Sequence, residues 1–192
     1  RACLATFFGP NPAESRSYGR IVNDRRFDKL VSYLKEGRVV LGGGHSGKDR
    51  YFEPTLLEGV SIKSEIMREE IFGPILPVFS FEHMLEAKDL IDQNPSPLSF
   101  YLFTRNPAVE KLWLDSVSFG GGCVNNTLWQ LSNHHLPFGG IGASGIGAYH
   151  GKHTVELFTH AKPVMKTPLW FDPKIKYPPF DGKLKWYKKM IR

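Results

Sequence analysis

From Asn23 onward, Phe27, Leu30, Val31 and Leu34 recur at i, i+3, i+4 and i+7, with Arg25, Lys29, Lys35 and Glu36 on the other faces. That spacing predicts an amphipathic helix with Asn23 as its N-cap. The apolar run Val39-Val40-Leu41 then predicts a strand, the glycines at 42–44 a turn, and the stretch from Tyr51 to Leu57 further extended chain. Beyond this the pattern alternates: strand Ile75 to Phe79, helix from about Glu82 to Asp92, strand Phe100 to Phe103, helix from Pro107 to about Asp115, strand Cys123 to Asn125. Strands and helices in that order predict an α/β fold, a parallel sheet with crossover helices. Asn94-Pro95 stops the first of these helices, and Asn106-Pro107 places a cap and an N1 proline on the second. A helix at Thr154 to Phe158 and a strand at about His160 to Met165 come next, and then Pro168, Pro173, Pro178 and Pro179 predict an extended tail.

In open α/β sheets ligands sit beyond the carboxyl ends of the strands, so the chain from Asn125 through Gly147 is expected to face a site. The pattern divides the chain into an α/β portion over 1–125, a loop and strand over 126–165, and a basic tail over 166–192.

Composition changes this picture little. With 192 residues, 41% of them apolar, the chain has enough apolar surface for a real core and for one domain or one and a piece. It opens on Arg1 and runs straight into Cys3-Leu4-Ala5-Thr6-Phe7-Phe8, which reads as the end of a helix already under way, hence a fragment or a processed product. No segment has a signal-peptide pattern and the opening apolar run is too short to cross a bilayer, so a cytoplasmic location, or the cytosolic face of an intracellular membrane, is expected. The formal charge of +6 is concentrated at Lys174, Lys176, Lys183, Lys185, Lys188, Lys189 and Arg192, a property of the tail and not of a groove. Cys3 and Cys123 have no metal-ligand spacing and define no disulfide framework; reduced thiols are expected.

Several motifs fail on context. Gly42-x4-Gly47-Lys48 spells most of a phosphate-binding P-loop, but Asp49 stands where a Ser or Thr should hold magnesium, and Arg50-Tyr51-Phe52-Glu53-Pro54 does not open a helix. A glycine hairpin turn is the better account. Gly140-Ile141-Gly142-Ala143-Ser144-Gly145 spells a dinucleotide fingerprint, yet His134-His135-Leu136-Pro137-Phe138-Gly139 precedes it where a hydrophobic strand is needed. It reads as a mobile glycine loop that lets backbone approach a neighbouring segment. His134-His135 and His150-x-x-His153 lack a carboxylate or thiolate to complete a metal ligand set. Basic residues are not interleaved with aromatics in a recognised nucleic-acid module, so no nucleic-acid partner is expected.

One stretch reads as a site. In Arg68-Glu69-Glu70-Ile71-Phe72-Gly73-Pro74, two adjacent carboxylates end in an aromatic and a rigid Gly-Pro turn. A carboxylate there suits a sugar diol, and an aromatic beside it suits a flat ring.

Together with Tyr18-Gly19-Arg20-Ile21-Val22-Asn23, Leu136-Pro137-Phe138-Gly139-Gly140, and Ser144-Gly145 through Tyr149-His150-Gly151-Lys152, this stretch resembles the aldehyde dehydrogenase family in family order. The branch it resembles is the class-three one that includes the fatty aldehyde dehydrogenases, and only its C-terminal part. Lys176-Tyr177-Pro178-Pro179 is similar to the tail of that branch.

The resemblance implies a parallel Rossmann-like sheet with extended oligomerisation strands and a tail, NAD or NADP as cofactor, and aliphatic or aromatic aldehydes as substrate. It implies that Glu70 hydrogen-bonds the nicotinamide ribose and that Phe72 lies beside the nicotinamide. Phe138 matches the aromatic that packs on the aldehyde, and His134 and His135, just ahead of it, are candidates for the aldehyde channel. Arg26 stands where the family has Gln or His; it either meets a phosphate or solvates a helix face.

In the family the nucleophilic cysteine, the base glutamate, the oxyanion-hole asparagine and the nucleotide-binding domain lie upstream of this region. Neither Cys3 nor Cys123 is expected to be catalytic, and the isolated chain is expected to turn over little or nothing. Alternatives are a truncated subunit acting by oligomerisation, since the family dimerises partly through sheet pairing, and membrane-surface association through Leu184, Trp186, Tyr187, Met190 and Ile191 interleaved with basic residues.

Overall fold

The computed structural model describes residues 2–190; Arg1, Ile191 and Arg192 lie outside them, so the end of the proposed interfacial stretch does too. The chain divides into two compact units, one built from residues up to Pro97 together with Thr104–Phe119, the other from Leu98–Phe103 with residues from Gly120 onward.

In the first unit, helix α1 spans Ala2–Phe8 and helix α2 spans Asp24–Tyr33. Asn23 caps α2: its side chain accepts from the Arg26 N–H at 2.8 Å, meeting one of the donors a helix start leaves unpaired. A ten-residue helix is marginal by itself, and burial of one face holds it. Strands β1 (Arg38–Leu41), β4 (Thr55–Glu58) and β5 (Ile75–Val78) form a three-stranded sheet in the order β1-β4-β5. The β1–β4 pair is antiparallel, with a register shift between Val39 and Leu41, and the β4–β5 pair is parallel. The core joins Phe27, Leu30 and Tyr33 of α2 to Phe52, Leu57, Val60, Ile66 and Ile75. Full burial of a side chain such as Leu30 or Leu57 contributes about 1.5–3 kcal/mol.

The glycine-rich stretch after β1 is a turn leading into a short hairpin, β2 (His45–Ser46) against β3 (Tyr51–Phe52), as the failed P-loop pattern predicts. Gly42 takes φ +74° with Pro54 backbone pressed against it, where a Cβ would lie 2.1 Å from a carbonyl oxygen. Helices α3 (Met84–Asp92) and α4 (Pro107–Ser116) complete this unit. On α4 the Asn106 side chain accepts from the Ala108 and Val109 N–H groups, with Pro107 in the first turn.

In the second unit, β6 (Ser99–Leu102) and β7 (Gly121–Val124) pair in parallel. Parallel pairing and interleaved helices are thus present, with the ladders in separate sheets. Helix α5 (Trp129–Ser132) packs by β7, Phe138 bridges Tyr149 in antiparallel fashion, and helix α6 spans Gly151–Phe158.

Two expectations need correction. No strand forms at 160–165: the segment is exposed and the described residues give it no ladder partner. The tail is not wholly extended. Helix α7 (Leu184–Met190) is tied back by the Lys183 ammonium, which donates to the Lys174 and Tyr177 carbonyls at 3.0 and 2.8 Å, and by the Tyr187 hydroxyl, which donates to the Ile175 carbonyl.

Candidate functional site

The acidic stretch 68–74 comes after a single 3-10 turn at Glu65–Met67 and lies along α2. Its two glutamates are treated differently. Glu69 is held: the Tyr33 hydroxyl donates to its carboxylate, the Lys29 ammonium lies 3.5 Å away and the Arg26 guanidinium 3.9 Å away. The Tyr33 hydrogen bond, with Lys29 and Arg26 beside it, keeps the Glu69 carboxyl below the usual range. Burial, reinforced by the Glu69 carboxylate, raises the Tyr33 phenol far above its ordinary value. Glu70 is exposed, and among the described residues its carboxylate has no hydrogen bond or ion pair.

Phe72 sits at φ +48°, a left-handed conformation uncommon for a non-glycine residue, and its side chain is 58% exposed. The Arg26 guanidinium Nη1 donates to the carbonyls of Glu70 and Ile71, at 3.3 and 3.4 Å. Arg26 thus ties α2 to the loop while also lining the polar hollow beside Phe72.

Phe72 forms a wall of two hollows. One, of about 610 Å³, is lined on the polar side by Asn23, Arg25, Arg26, Lys29 and Glu69. The other, of about 440 Å³, is lined by Tyr18, Ile21, Phe52 and Pro74. Glu70 lines a third hollow of about 520 Å³ with Met67, Ile71, Pro77, Phe79 and Asn94. The predicted cofactor residues are therefore two positions apart on one loop without sharing a hollow.

A second cluster lies wholly in the other unit. Phe138 stacks on His150 with ring centroids 5.9 Å apart, and His134 meets His150 edge-on at 5.7 Å. Tyr149 is edge-on to both Phe138 and His150. His135 is exposed and stands outside this ring cluster; its backbone N–H donates to the Asn133 side chain at 3.0 Å. Sequence reasoning missed His150 as the centre of the group. Its Nδ1 is buried and has no hydrogen-bond partner among the described residues, and its φ is +95°. The signal for it was the symmetry of the aromatics flanking the glycines, Phe138 before and Tyr149 after, which pair through two 2.9 Å backbone hydrogen bonds. The intervening loop is packed backbone on backbone: a Cβ on Gly139 would lie 2.1 Å from the Gly147 carbonyl oxygen, and one on Gly140 2.2 Å from that of Ser144.

The Cys123 thiol donates to Gln130 Oε1 at 2.9 Å, and Gln130 Nε2 donates to the Tyr101 hydroxyl at 3.0 Å. Gln130 is a buried polar residue whose burial this chain of bonds offsets, and Cys123 is one end of it. Cys3 is exposed on α1. What the two clusters offer chemically is a free carboxylate and an exposed aromatic two residues apart on one loop of the first unit, and a ring-lined loop in the other.

The Aldehyde dehydrogenase family model matches residues 5–164. The 4,4'-diaponeurosporen-aldehyde dehydrogenase of Staphylococcus aureus is 44% identical over 191 residues, covering 98% of this chain and 42% of that protein. Aldehyde dehydrogenase family 3 member H1 of Arabidopsis thaliana is 42% identical, covering 98% and 40% respectively. The solved substrate-bound state of Staphylococcus aureus AldH superposes with a TM-score of 0.87 at 42% identity, over 100% of this chain and 42% of that one. The chain spans about two fifths of the length of these relatives. With the acidic loop, the glycine loop and the α/β elements matching continuously through so much of its length, the chain belongs to the aldehyde dehydrogenase family, with class-three members among its relatives.

Proposed function

We propose that this chain supplies the nicotinamide-ribose contact and one wall of the aldehyde pocket of an NAD(P)-dependent dehydrogenase that oxidises medium- or long-chain aliphatic aldehydes to acids. The observation that carries the reading is the division between adjacent carboxylates. Tyr33, Lys29 and Arg26 all meet Glu69 on one carboxylate oxygen and tether it to α2, whereas the Glu70 carboxylate has no partner among the described residues and can turn both oxygens to a diol, on a backbone already pinned. A tethered carboxylate is less able to follow a ribose than a free one. Phe72, exposed and fixed beside it, suits the face of a nicotinamide. NAD(P) held by Glu70 and Phe72 would supply the hydride acceptor for the oxidation.

Phe138, with His134 in its ring cluster and His135 beside it, offers the aldehyde an apolar wall. Cys123 is engaged by Gln130, so this chain brings no assigned nucleophile, and turnover is expected to need the rest of a protein of the relatives' length.

The test is NAD- and NADP-dependent oxidation of a medium-chain fatty aldehyde by this chain, beside the same chain completed to the length of its relatives. Activity only in the longer protein supports the reading. Activity in the chain alone overturns it and makes Cys123 the first residue to replace.

A second reading, association with a membrane surface on the cytosolic side, draws on α7, where exposed Leu184, Trp186 and Met190 adjoin Lys185, Lys188 and Lys189. No helix among the described residues is long and apolar enough to cross a membrane. Sedimentation with anionic and neutral liposomes tests it, and equal sedimentation of a tail-deleted chain would reject it. Pairing of subunits as a homodimer is the remaining expectation from the family, read out by light scattering.

A further inference from the structure

From the geometry of α2 and the acidic loop, we infer that Arg26 is a positioning residue that sets the direction of Glu70 and Phe72. The inference rests on the cofactor reading above.

Arg26 stands in the first turn of α2, where its own N–H donates to the Asn23 cap, so its starting point is fixed. Its side chain, 27% exposed, runs across to the loop and meets three consecutive residues with one nitrogen: the Glu69 carboxylate and the Glu70 and Ile71 carbonyls. The ion pair is the least of these. At 3.9 Å it is the longest contact Glu69 makes to a cation, and Tyr33 and Lys29 hold that carboxylate already. Among the described residues, the hydrogen bonds to the Glu70 and Ile71 carbonyls come from Arg26. They fall on the two peptide units immediately before Phe72, whose φ of +48° persists only where neighbouring structure over-determines it. They also orient the peptide on the C-terminal side of the Glu70 side chain.

A guanidinium suits this task because its planar group fixes the direction of the N–H donors on the one terminal nitrogen that meets both carbonyls. A Lys ammonium keeps the charge and the donors on a shorter stem without that fixed direction, and a Gln amide carries no charge. Arg26→Lys and Arg26→Gln therefore separate charge from geometry.

The experiment has two readouts. Amide hydrogen exchange is measured over residues 69–73 in the full chain, wild type and both variants. NAD+ affinity and the split between KM for NAD+ and kcat are measured in the chain completed to its relatives' length, with Glu70→Gln alongside. Arg26→Gln is expected to speed loop exchange about tenfold and to raise KM for NAD+ more than it lowers kcat, with Arg26→Lys recovering only a minor part of either. Loop exchange unchanged in Arg26→Gln overturns the inference, and so does full recovery in Arg26→Lys, which would reduce the contact to plain charge. Faster loop exchange with NAD+ affinity unchanged in both Arg26→Gln and Glu70→Gln leaves the clamp in place and overturns its link to the cofactor.

Discussion

Tyr33, fully buried in the core, donates its phenolic hydroxyl to the carboxylate of Glu69, tying the last turn of α2 to the acidic loop. This bond is the main reason the Glu69 carboxyl lies below its ordinary pKa. A depressed folded pKa contributes stability that is present above the unfolded value, about 4.3 for Glu, and is lost as pH falls through the folded value. Amide protection over 68–73, measured from pH 6 downward relative to the intrinsic exchange rate at each pH, should fall at the acid end in the wild type. In Tyr33→Phe the loop should already exchange fast at neutral pH and respond less to acid; matching profiles in the two proteins would refute the coupling.

The alkaline side has a different agent. The Tyr18 hydroxyl donates to the Phe52 carbonyl at 2.7 Å, and burial, aided by the neighbouring Tyr51, pushes its pKa up to about 12. A raised folded pKa gives stability that is complete below the unfolded value, about 10, and is lost as pH rises through the folded one. Thermal midpoints should hold to about pH 10 and then fall, less steeply in Tyr18→Phe. At neutral pH that variant should cost about 1 kcal/mol for the lost hydrogen bond, measurable by urea denaturation.

Gly73 presses on the core from the loop side: a Cβ there would lie 2.4 Å from Leu30 Cδ1. Leu30 is fully buried, so any shift of its side chain has to be taken up within the core. Gly73→Ala should cost about 1–3 kcal/mol by overpacking, and Leu30→Ala about 2–5 kcal/mol by leaving a cavity. Because each relieves the other, the double variant should cost less than the sum. Strict additivity in denaturant titrations would show that the two do not meet in solution.

Gln130→Ala should destabilise the second unit by about 1–3 kcal/mol, since it removes the partner of both the Cys123 thiol and the Tyr101 hydroxyl. Alkylation of Cys123 by iodoacetamide should quicken in the variant. An unchanged rate would mean the thiol is not held by Gln130.

Glu70→Gln separates function from folding. Its carboxylate has no partner among the described residues, so stability should move by no more than about 0.5 kcal/mol. NAD+ affinity in the protein of the relatives' length should fall by about tenfold, as expected for losing a charged acceptor. A thermal midpoint that drops while affinity holds would reverse the roles given to Glu69 and Glu70.

What could be read from the sequence was local. Asn23 and Asn106 announce helix starts because a cap and its donors lie within three residues, and Phe27, Leu30, Val31 and Leu34 mark a face because helical spacing repeats it. The hairpin at β2 and β3 was legible because Arg50 to Pro54, just past its glycines, open no helix. Pairings between distant residues were not. Nothing in the spacing of Tyr33 points to Glu69, so the two adjacent glutamates could be told apart only by resemblance. The strand expected over 160–165 rests on its place after a helix, while Pro163 within it has no N–H for a ladder, and a strand exists only where a neighbour accepts its hydrogen bonds. His150 likewise looked like half of a metal motif and is the middle of an aromatic stack.

At Gly139 and Gly140 the loop between Phe138 and Tyr149 leaves no volume for even a first side-chain carbon. An engineer wishing to reshape this ribbon cannot do so by exchanging one residue at a time there; its path has to be redrawn by inserting or deleting residues. Its chemistry is another matter. Ile146, almost fully exposed, can be repainted without touching that path, so greasiness can be tuned where curvature cannot.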